Sequence, residues 1–342
     1  MEPGSSTVDD VLVVIPCLNE ESHIERVIAA VLCDPAAGRA LLVVADGGST
    51  DRTCAIVGAL AERHPQLRLL HNPKRIQSAA VNRAACLFGT GRRWLVRMDA
   101  HADYPRGFVS RLIAEAERTA AASVVVAMKA RGLTCFQRAV AAAQNSLLGA
   151  GGSPHRRAGN ACYVDHGHHA LFDLARFLGA GGYDETQSHN EDAEFDVRLA
   201  RAGGRIWLTR QTEVVYFPRG RPEDLYLQYQ DHGRGRAQTI MRHRLRPKVR
   251  QLAPACVLPA LFAACLAPLA SLAAAPALLW LAACMISGVA LGIRQRSRCA
   301  LAAGFAAPIM HLGWSVGFWS VFVEVAGEAV PRPVGGLLPR PR

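Results

Sequence analysis

Asp99, His101 and Asp103 alternate along one short run, Arg97-Met-Asp-Ala-His-Ala-Asp-Tyr104. The apolar residues Trp94-Leu-Val96 stand directly before them and read as a short buried strand. Three metal-capable side chains therefore arrive at one strand end. A second strand, Leu41 to Ala45, ends in Asp46-Gly-Gly-Ser-Thr-Asp51. Open α/β sheets bind ligands at the carboxyl ends of their strands, and hard divalent cations take oxygen ligands and bridge phosphates. Two strands ending in carboxylates thus suggest a nucleotide site with a divalent metal. Asp99 with His101 offers one acid and one imidazole, which shifts preference toward Mn²⁺ over Mg²⁺ because nitrogen suits the softer ion. Asp103 rivals His101 as second ligand, but fits better as a cap for a helix beginning near Pro105.

Other residues carry weaker signals. Glu191-Asp192 opens a helix with Phe195, Val197 and Leu199 on its apolar face, and carboxylates in a first turn are favoured by the helix dipole. Lys74 and Arg75 precede a helix with Gln77 and Ser78 behind them. They suit a phosphate or base edge as well as a solvated surface. His166, His168 and His169 invite a zinc reading, which fails for want of Cys or His partners at regular spacing.

The elements that position these residues alternate. Val11–Ile15, 41–45, 67–70, 94–97 and 123–127 read as strands. Helical spacing covers 20–32, 51–63, 76–88 and 105–119, with Ser49 or Thr50 available to cap the second helix. Such alternation implies an α/β fold, a mostly parallel sheet with helices on both faces. Gly149 to Pro154 reads as a flexible break.

The 342 residues carry a net charge of +11, unevenly spread. Residues 201–250 hold twelve Lys/Arg against four Asp/Glu. An apolar third follows: 251–293 lacks any charged residue or His, and 299–323 is interrupted only by His311. These runs predict two or three membrane helices, with the basic block favouring the cytoplasmic side and anionic lipid. Nucleic acid is excluded as a partner, since no aromatic-rich or helix-turn-helix pattern accompanies the charge. The ten cysteines have no CxxC spacing and, with no signal peptide in view, read as reduced thiols.

Read in order, Val14-Ile-Pro-Cys-Leu-Asn-Glu20, Ala45-Asp-Gly-Gly-Ser-Thr-Asp51, Asn72-Pro-Lys-Arg-Ile-Gln-Ser78, Arg97-Met-Asp-Ala-His101, Gly181-Gly-Tyr-Asp-Glu185 and Asn190-Glu-Asp-Ala-Glu194 resemble the family 2 glycosyltransferases of GT-A fold. Within that family the chain is similar to the group acting in succinoglycan biosynthesis. The resemblance covers roughly residues 10 to 245. It implies a catalytic domain over 1–245, a membrane domain over 246–330 and a tail over 331–342.

The resemblance also implies roles. Pro16, Asn19 and Glu20 would line the uridine of a UDP-sugar, with Asp46 on the uracil or ribose. Lys74, Arg75, Gln77 and Asp99 would complete the donor site, with Asp99 and His101 holding Mn²⁺ or Mg²⁺. Asp192, with Glu191 beside it, would be the general base of an inverting transfer. His168 and His169 would join the acceptor pocket. Gln228, Arg234 and Arg236 lie where related membrane transferases keep a Gln-x-x-Arg-Trp motif. The Trp is absent here, with Gly235 near its place, but the arginines would suit a diphosphate.

The implied reaction moves one glucose from UDP-glucose, in β-1,3 linkage, onto undecaprenyl-diphosphate-linked galactose. It would occur at a bacterial inner membrane with the catalytic part in the cytoplasm, beside membrane lipid and other polysaccharide-assembly enzymes. Three rivals stand: a processive polysaccharide synthase, a polyprenyl-phosphate-sugar synthase, and a membrane scaffold with an inactive transferase domain.

Overall fold

The computed structural model describes residues 10–37, 40–151, 161–187, 189–266, 268 and 270–329. The tail over 331–342, and residues 152–154 of the break read at Gly149–Pro154, lie outside the described residues. Eight strands form one sheet: β1 (Val11–Cys17), β2 (Leu41–Asp46), β3 (Leu67–His71), β4 (Trp94–Arg97), β5 (Ser123–Ala130), β6 (Cys162–Val164), β7 (His168–Asp173) and β8 (Ile206–Tyr216). Their order is β3-β2-β1-β4-β7-β5-β8-β6. Pairings β1–β2, β1–β4, β2–β3 and β5–β8 are parallel, whereas β7 runs antiparallel to β4 and β5, and β6 to β8.

The helices are α1 (Ile24–Leu32), α2 (Thr53–Arg63), α3 (Gln77–Phe88), α4 (Phe108–Thr119), α5 (Cys135–Gln144), α6 (Leu147–Ala150), α7 (Leu174–Gly179), α8 (Glu191–Arg201), α9 (Pro222–His243), α10 (Val249–Ala255), α11 (Val257–Ala264), α12 (Ala275–Arg294), α13 (Arg298–Leu301) and α14 (Ala303–Ala329). Successive side chains of a strand point to opposite faces. Val11, Val13 and Ile15 of β1 accordingly pack with Ile24, Val27 and Ile28 of α1 and with Leu112 of α4. Leu12 and Val14 pack on the other face with Ala80 and Ala84 of α3, Phe177 of α7 and Phe195 of α8. Burial on both faces is why the central strands read as unbroken apolar runs.

Two caps differ from the sequence reading. At α2 the N-cap position falls on Arg52, which makes no side-chain cap bond; Asp51, one residue earlier, accepts from the Thr53 N–H at 2.9 Å, and neither Ser49 nor Thr50 caps the helix. Asp103 does not cap α4, which begins at Phe108 after Gly107 in a left-handed conformation. Asp103 instead pairs with Arg26 at 2.9 Å, and its backbone bridges to Val215.

Two helical runs, Leu272–Arg294 and Arg298–Val325, are long and apolar enough to cross a membrane. The first apolar stretch, Val249–Ala264, is shorter and divided into α10 and α11, with Pro254 inside α10. α12 presents Leu278, Leu279, Ile286 and Ile293 outward. α14 instead lies along the polar α9, where an ideal Cβ at Gly317 would fall 1.8 Å from the Gln230 carbonyl oxygen and one at Gly233 would fall 2.0 Å from that of Trp314. Gly313 and Gly317 form a small-xxx-small spacing that permits such backbone contact. Ala139, Val140 and Ala143 of α5 share a core with Ala300, Ala303 and Met310, so the sheet-bearing part and the apolar helices are packed together. Cys135 and Cys299 form a disulfide at this junction, correcting the expectation of uniformly reduced thiols. Their spacing of 164 residues gave no local signal, because only the packing of α5 on α13 brings them together.

Candidate active site

β1 and β2 end level, with Pro16 opposite Ala45 and Cys17 opposite Asp46, so the loops after them share one space. Asn19 takes a left-handed φ of 56°, which its short polar side chain tolerates. Its Oδ1 accepts from the Thr50 N–H at 2.8 Å, and its own N–H donates to Ser49 Oγ at 2.8 Å. The Glu20 N–H donates to Thr53 Oγ1 at 2.8 Å. Asp46 is 4% exposed, and its Oδ2 accepts from the N–H groups of Gly48 (2.8 Å) and Ser49 (3.0 Å). Burial raises this carboxyl's pKa, but the bonds from Ser49 and Gly48 outweigh it and hold the group below its ordinary range. Asp46 therefore works first as the anion that folds its own turn. Gly48, at φ 89°, leaves room for Arg75: an ideal Cβ there would lie 3.4 Å from Arg75 Nη2. Lys74 is committed to Glu185 at 2.5 Å.

Arg97, the last residue of β4, is the centre of charge. Its guanidinium is 5% exposed. Nη1 donates to Asp192 Oδ1 at 2.7 Å and lies 3.5 Å from Glu191 Oε1, and Nη2 lies 3.4 Å from Asp99 Oδ1. Tyr183 OH donates to the same Asp192 oxygen at 2.8 Å, and Gln77 Nε2 donates to Asp99 Oδ1 at 2.9 Å. Asn190, at φ 65°, turns the chain into α8 and sets Glu191 and Asp192 in its first turn.

One cation thus faces three carboxylates, and their proton affinities separate. Burial opposes the charge on Asp99, but Arg97 and His168 hold it far below the usual carboxylate range. Burial and the neighbouring Asp192 charge push Glu191 up to about 7, against the pull of Arg97. Like-charged groups sharing too little counter-charge split in this way. Neither Arg97 nor Tyr183 was assigned a role from the sequence, although both lie in the quoted motifs. The available signal was an arginine inside an otherwise buried apolar strand, which needs an anionic partner.

Among the described residues, no three His, Cys, Asp or Glu side chains form a group able to hold a metal alone. His101 is the expected partner of Asp99, yet its Nδ1 meets Glu20 Oε1 at 2.9 Å. The imidazole set against Asp99 is His168, with Nε2 3.4 Å from Oδ2. Sheet register explains this. β4 and β7 pair Trp94 with Asp173, Leu95 with Phe172 and Val96 with Leu171, and the same antiparallel register carried forward sets Asp99 opposite His168. A carboxylate with an imidazole fits a cation whose other positions are filled by diphosphate oxygens, since such ions are held by about one or two carboxylates plus substrate phosphates.

Other expected residues lie elsewhere. Arg234 forms a two-pronged pair with Glu324 of α14, at 2.7 and 2.8 Å, because it lies on the side of α9 that faces the apolar helices. Gln228 donates to Tyr216 OH at 2.8 Å. Arg236 points the other way, with Nη2 3.3 Å from Asn190 Oδ1. His166 Nδ1 lies 2.7 Å from Asp196 Oδ2. The side chain of His169 lies outside the described residues. Gly235 is where α9 closes on the turn into α8: an ideal Cβ would fall 2.6 Å from the His189 carbonyl oxygen. That contact explains why no tryptophan stands there.

The model of the glycosyl transferase family 2 domain matches residues 12–173. The chain is 48% identical over 324 residues to succinoglycan biosynthesis protein ExoA of Rhizobium meliloti (strain 1021), covering 95% of this chain and 98% of that protein. Among solved structures it is similar to the mannosyltransferase PcManGT of Pyrobaculum calidifontis in complex with GDP-Man and Mn²⁺. That match has a TM-score of 0.55 at 20% identity and covers 89% of this chain and 87% of the other. GalNAc-T7 with UDP, GalNAc and Mn²⁺ matches with a TM-score of 0.50 at 14% identity, over 69% and 50% of the two chains. The chain has the GT-A fold, is a glycosyltransferase, and belongs to glycosyl transferase family 2.

Proposed function

We propose that this chain transfers a single hexose, with inversion, from UDP-glucose to a polyprenyl-diphosphate-linked galactose, an early step in building a succinoglycan-type exopolysaccharide. The observation that carries this reading is the convergence of Asp99 and Asp192 on Arg97. It joins a carboxylate on the donor side to one on the acceptor side, as a direct displacement requires. Likeness to ExoA over nearly the whole chain supports the substrate class.

In this reading Asn19, Glu20, Asp46 and Arg75 form the wall for the nucleoside, and Gln77 orients Asp99 toward the donor diphosphate. Asp99 would hold a divalent cation, with His168 or His101 as the nitrogen ligand. When bound, that ion would supply Lewis-acid neutralisation of the departing diphosphate. Asp192, aimed by Arg97 and Tyr183, takes the proton of the attacking acceptor hydroxyl. Glu191, its pKa pushed up to about 7, carries a proton about half the time at neutral pH and so eases the negative charge on Arg97. Residues 1–245 would form the catalytic part on the cytoplasmic face, with 246–330 at the bacterial inner membrane. A polyprenyl acceptor stays in the bilayer, so its transferase must work at that surface.

The closure at Gly235 favours this reading over a processive synthase, because a complete Gln-x-x-Arg-Trp element cannot be housed there. The test is product mass. Full-length protein in lipid, given Mn²⁺, a panel of UDP-sugars and a short prenyl-diphosphate-galactose, should add one hexose from UDP-glucose. A ladder of additions would favour a synthase. A lipid monophosphate sugar would favour the polyprenyl-phosphate route, and no nucleotide binding would favour the scaffold.

A further inference from the structure

Arg236 sits beside the first turn of α8, two residues from the position of Asp192 along the chain, since Asn190 is its partner. Among the described residues its guanidinium, with five N–H donors to place, makes that one long bond of 3.3 Å. Arg250, in α10, is close enough for its charge to act on Arg236. Arg250 has no ion-pair partner among the described residues, and it packs against the turn at Gly151, whose ideal Cβ would lie 2.9 Å from Arg250 Cβ. Lys248, the residue before α10, is paired with Asp165. The other nearby acid, Asp196, lies against His166. The Arg250 charge thus reaches Arg236, and the charge of Asp196 offsets it only in part. Burial and the Arg250 charge push Arg236 down to about 10, which leaves it charged at neutral pH.

The same short helix carries Val249 at 82% and Leu252 at 42% exposure, followed by exposed Phe262 and Leu266. Apolar side chains displayed beside Lys and Arg suit the headgroup boundary of a bilayer. The arginine pair thus lies between that apolar edge and the start of α8.

We propose that Arg236 and Arg250 bind the diphosphate of the prenyl-linked acceptor. This rests on the transfer reading above. In such an acceptor the diphosphate lies one sugar away from the reacting hydroxyl, on the side toward the lipid. Arg236 is set beside Asn190 in that relation to Asp192. Planar guanidinium forks match phosphate oxygens, and two of them offset the charge of a diphosphate diester. The donor diphosphate belongs at the other end, where Asp99 and Gln77 stand. Arg234 takes no part, being held by Glu324.

The experiment uses full-length protein in detergent–lipid micelles, with farnesyl diphosphate as the binding probe and UDP as control. Wild type should bind farnesyl diphosphate. Arg236→Gln and Arg250→Ala should each weaken it about tenfold or more, as expected for loss of a charge-assisted pair, while UDP affinity stays within about twofold. Arg250→Lys should recover part of the loss. In transfer assays the Arg250→Ala defect should appear in acceptor KM with the prenyl-diphosphate galactoside and vanish with an uncharged alkyl galactoside. Equal farnesyl diphosphate binding by wild type and both variants would overturn the site, even where transfer proceeds. Weakened UDP binding would assign the arginines to the donor and also overturn it. If no acceptor is glycosylated but the variants still lose farnesyl diphosphate, the transfer reading falls while the diphosphate site stands.

Discussion

Replacing Arg97 by Met removes the cation that Asp99, Glu191 and Asp192 share, and keeps a side chain of similar length. Those carboxylates are 18%, 9% and 16% exposed, so water replaces little of what is lost. Removing one partner of a buried ion pair costs about 3–5 kcal/mol. At about 1–2 °C per kcal/mol for a chain of this size, the midpoint of thermal unfolding should fall by about 5 °C at pH 8. The sign of the pH dependence follows from proton uptake. Without Arg97 the folded carboxylates bind protons more tightly than the unfolded ones, so stability is lost as pH rises and regained as it falls. The deficit should therefore shrink at pH 5.5. Tryptophan fluorescence of the full chain in detergent, heated at both pH values, reads this directly. Arg97→Lys should fall between, keeping the charge but losing the fork. An Arg97→Met protein as stable as wild type at pH 8, or a deficit that grows on acidification, would refute the role assigned to Arg97.

Further outcomes follow from the same geometry. Asp192→Asn should lower kcat by about a thousandfold, within the range for loss of a general base, with UDP affinity nearly unchanged; unchanged turnover would remove the base assignment. Glu191 has a folded pKa of about 7 against an ordinary 4.5, so wild-type stability should decline by about 3 kcal/mol as pH rises through that window. Glu191→Gln should flatten this slope, which pH-dependent thermal unfolding would reveal. Gly317→Val should destabilise the chain by about 1–3 kcal/mol or more, because its Cβ has no room beside the Gln230 carbonyl; an unaltered unfolding midpoint would contradict the α9–α14 contact.

The parallel half of the sheet was legible because β1, β2 and β4 are buried on both faces, and because β2 ends in Asp46 and β4 runs out through Arg97 to Asp99. Asp46 and Asp99 advertised the site in that way. β7 was not legible: it begins with two histidines, His168 and His169, and its place between β4 and β5 follows from long-range pairing. Without β7 the nearness of His168 to Asp99 could not be read. Arg97 went unassigned because its partners Glu191 and Asp192 are more than ninety residues away, and local patterning carries no such information. The apolar third was read correctly as apolar, but hydropathy could not say that Pro254 divides its first stretch or that α14 leans on the polar α9.

The most direct measurement is the anomeric configuration and count of the transferred sugar. Proton NMR of the isolated product, made from the α-linked UDP-glucose donor by full-length protein in lipid, would read both. A single hexose with the large coupling of a β-glucoside is the predicted result, since one carboxylate base and one displacement invert the centre. An α-linked hexose would mean that configuration is retained, and would contradict Asp192 as the base of a direct displacement.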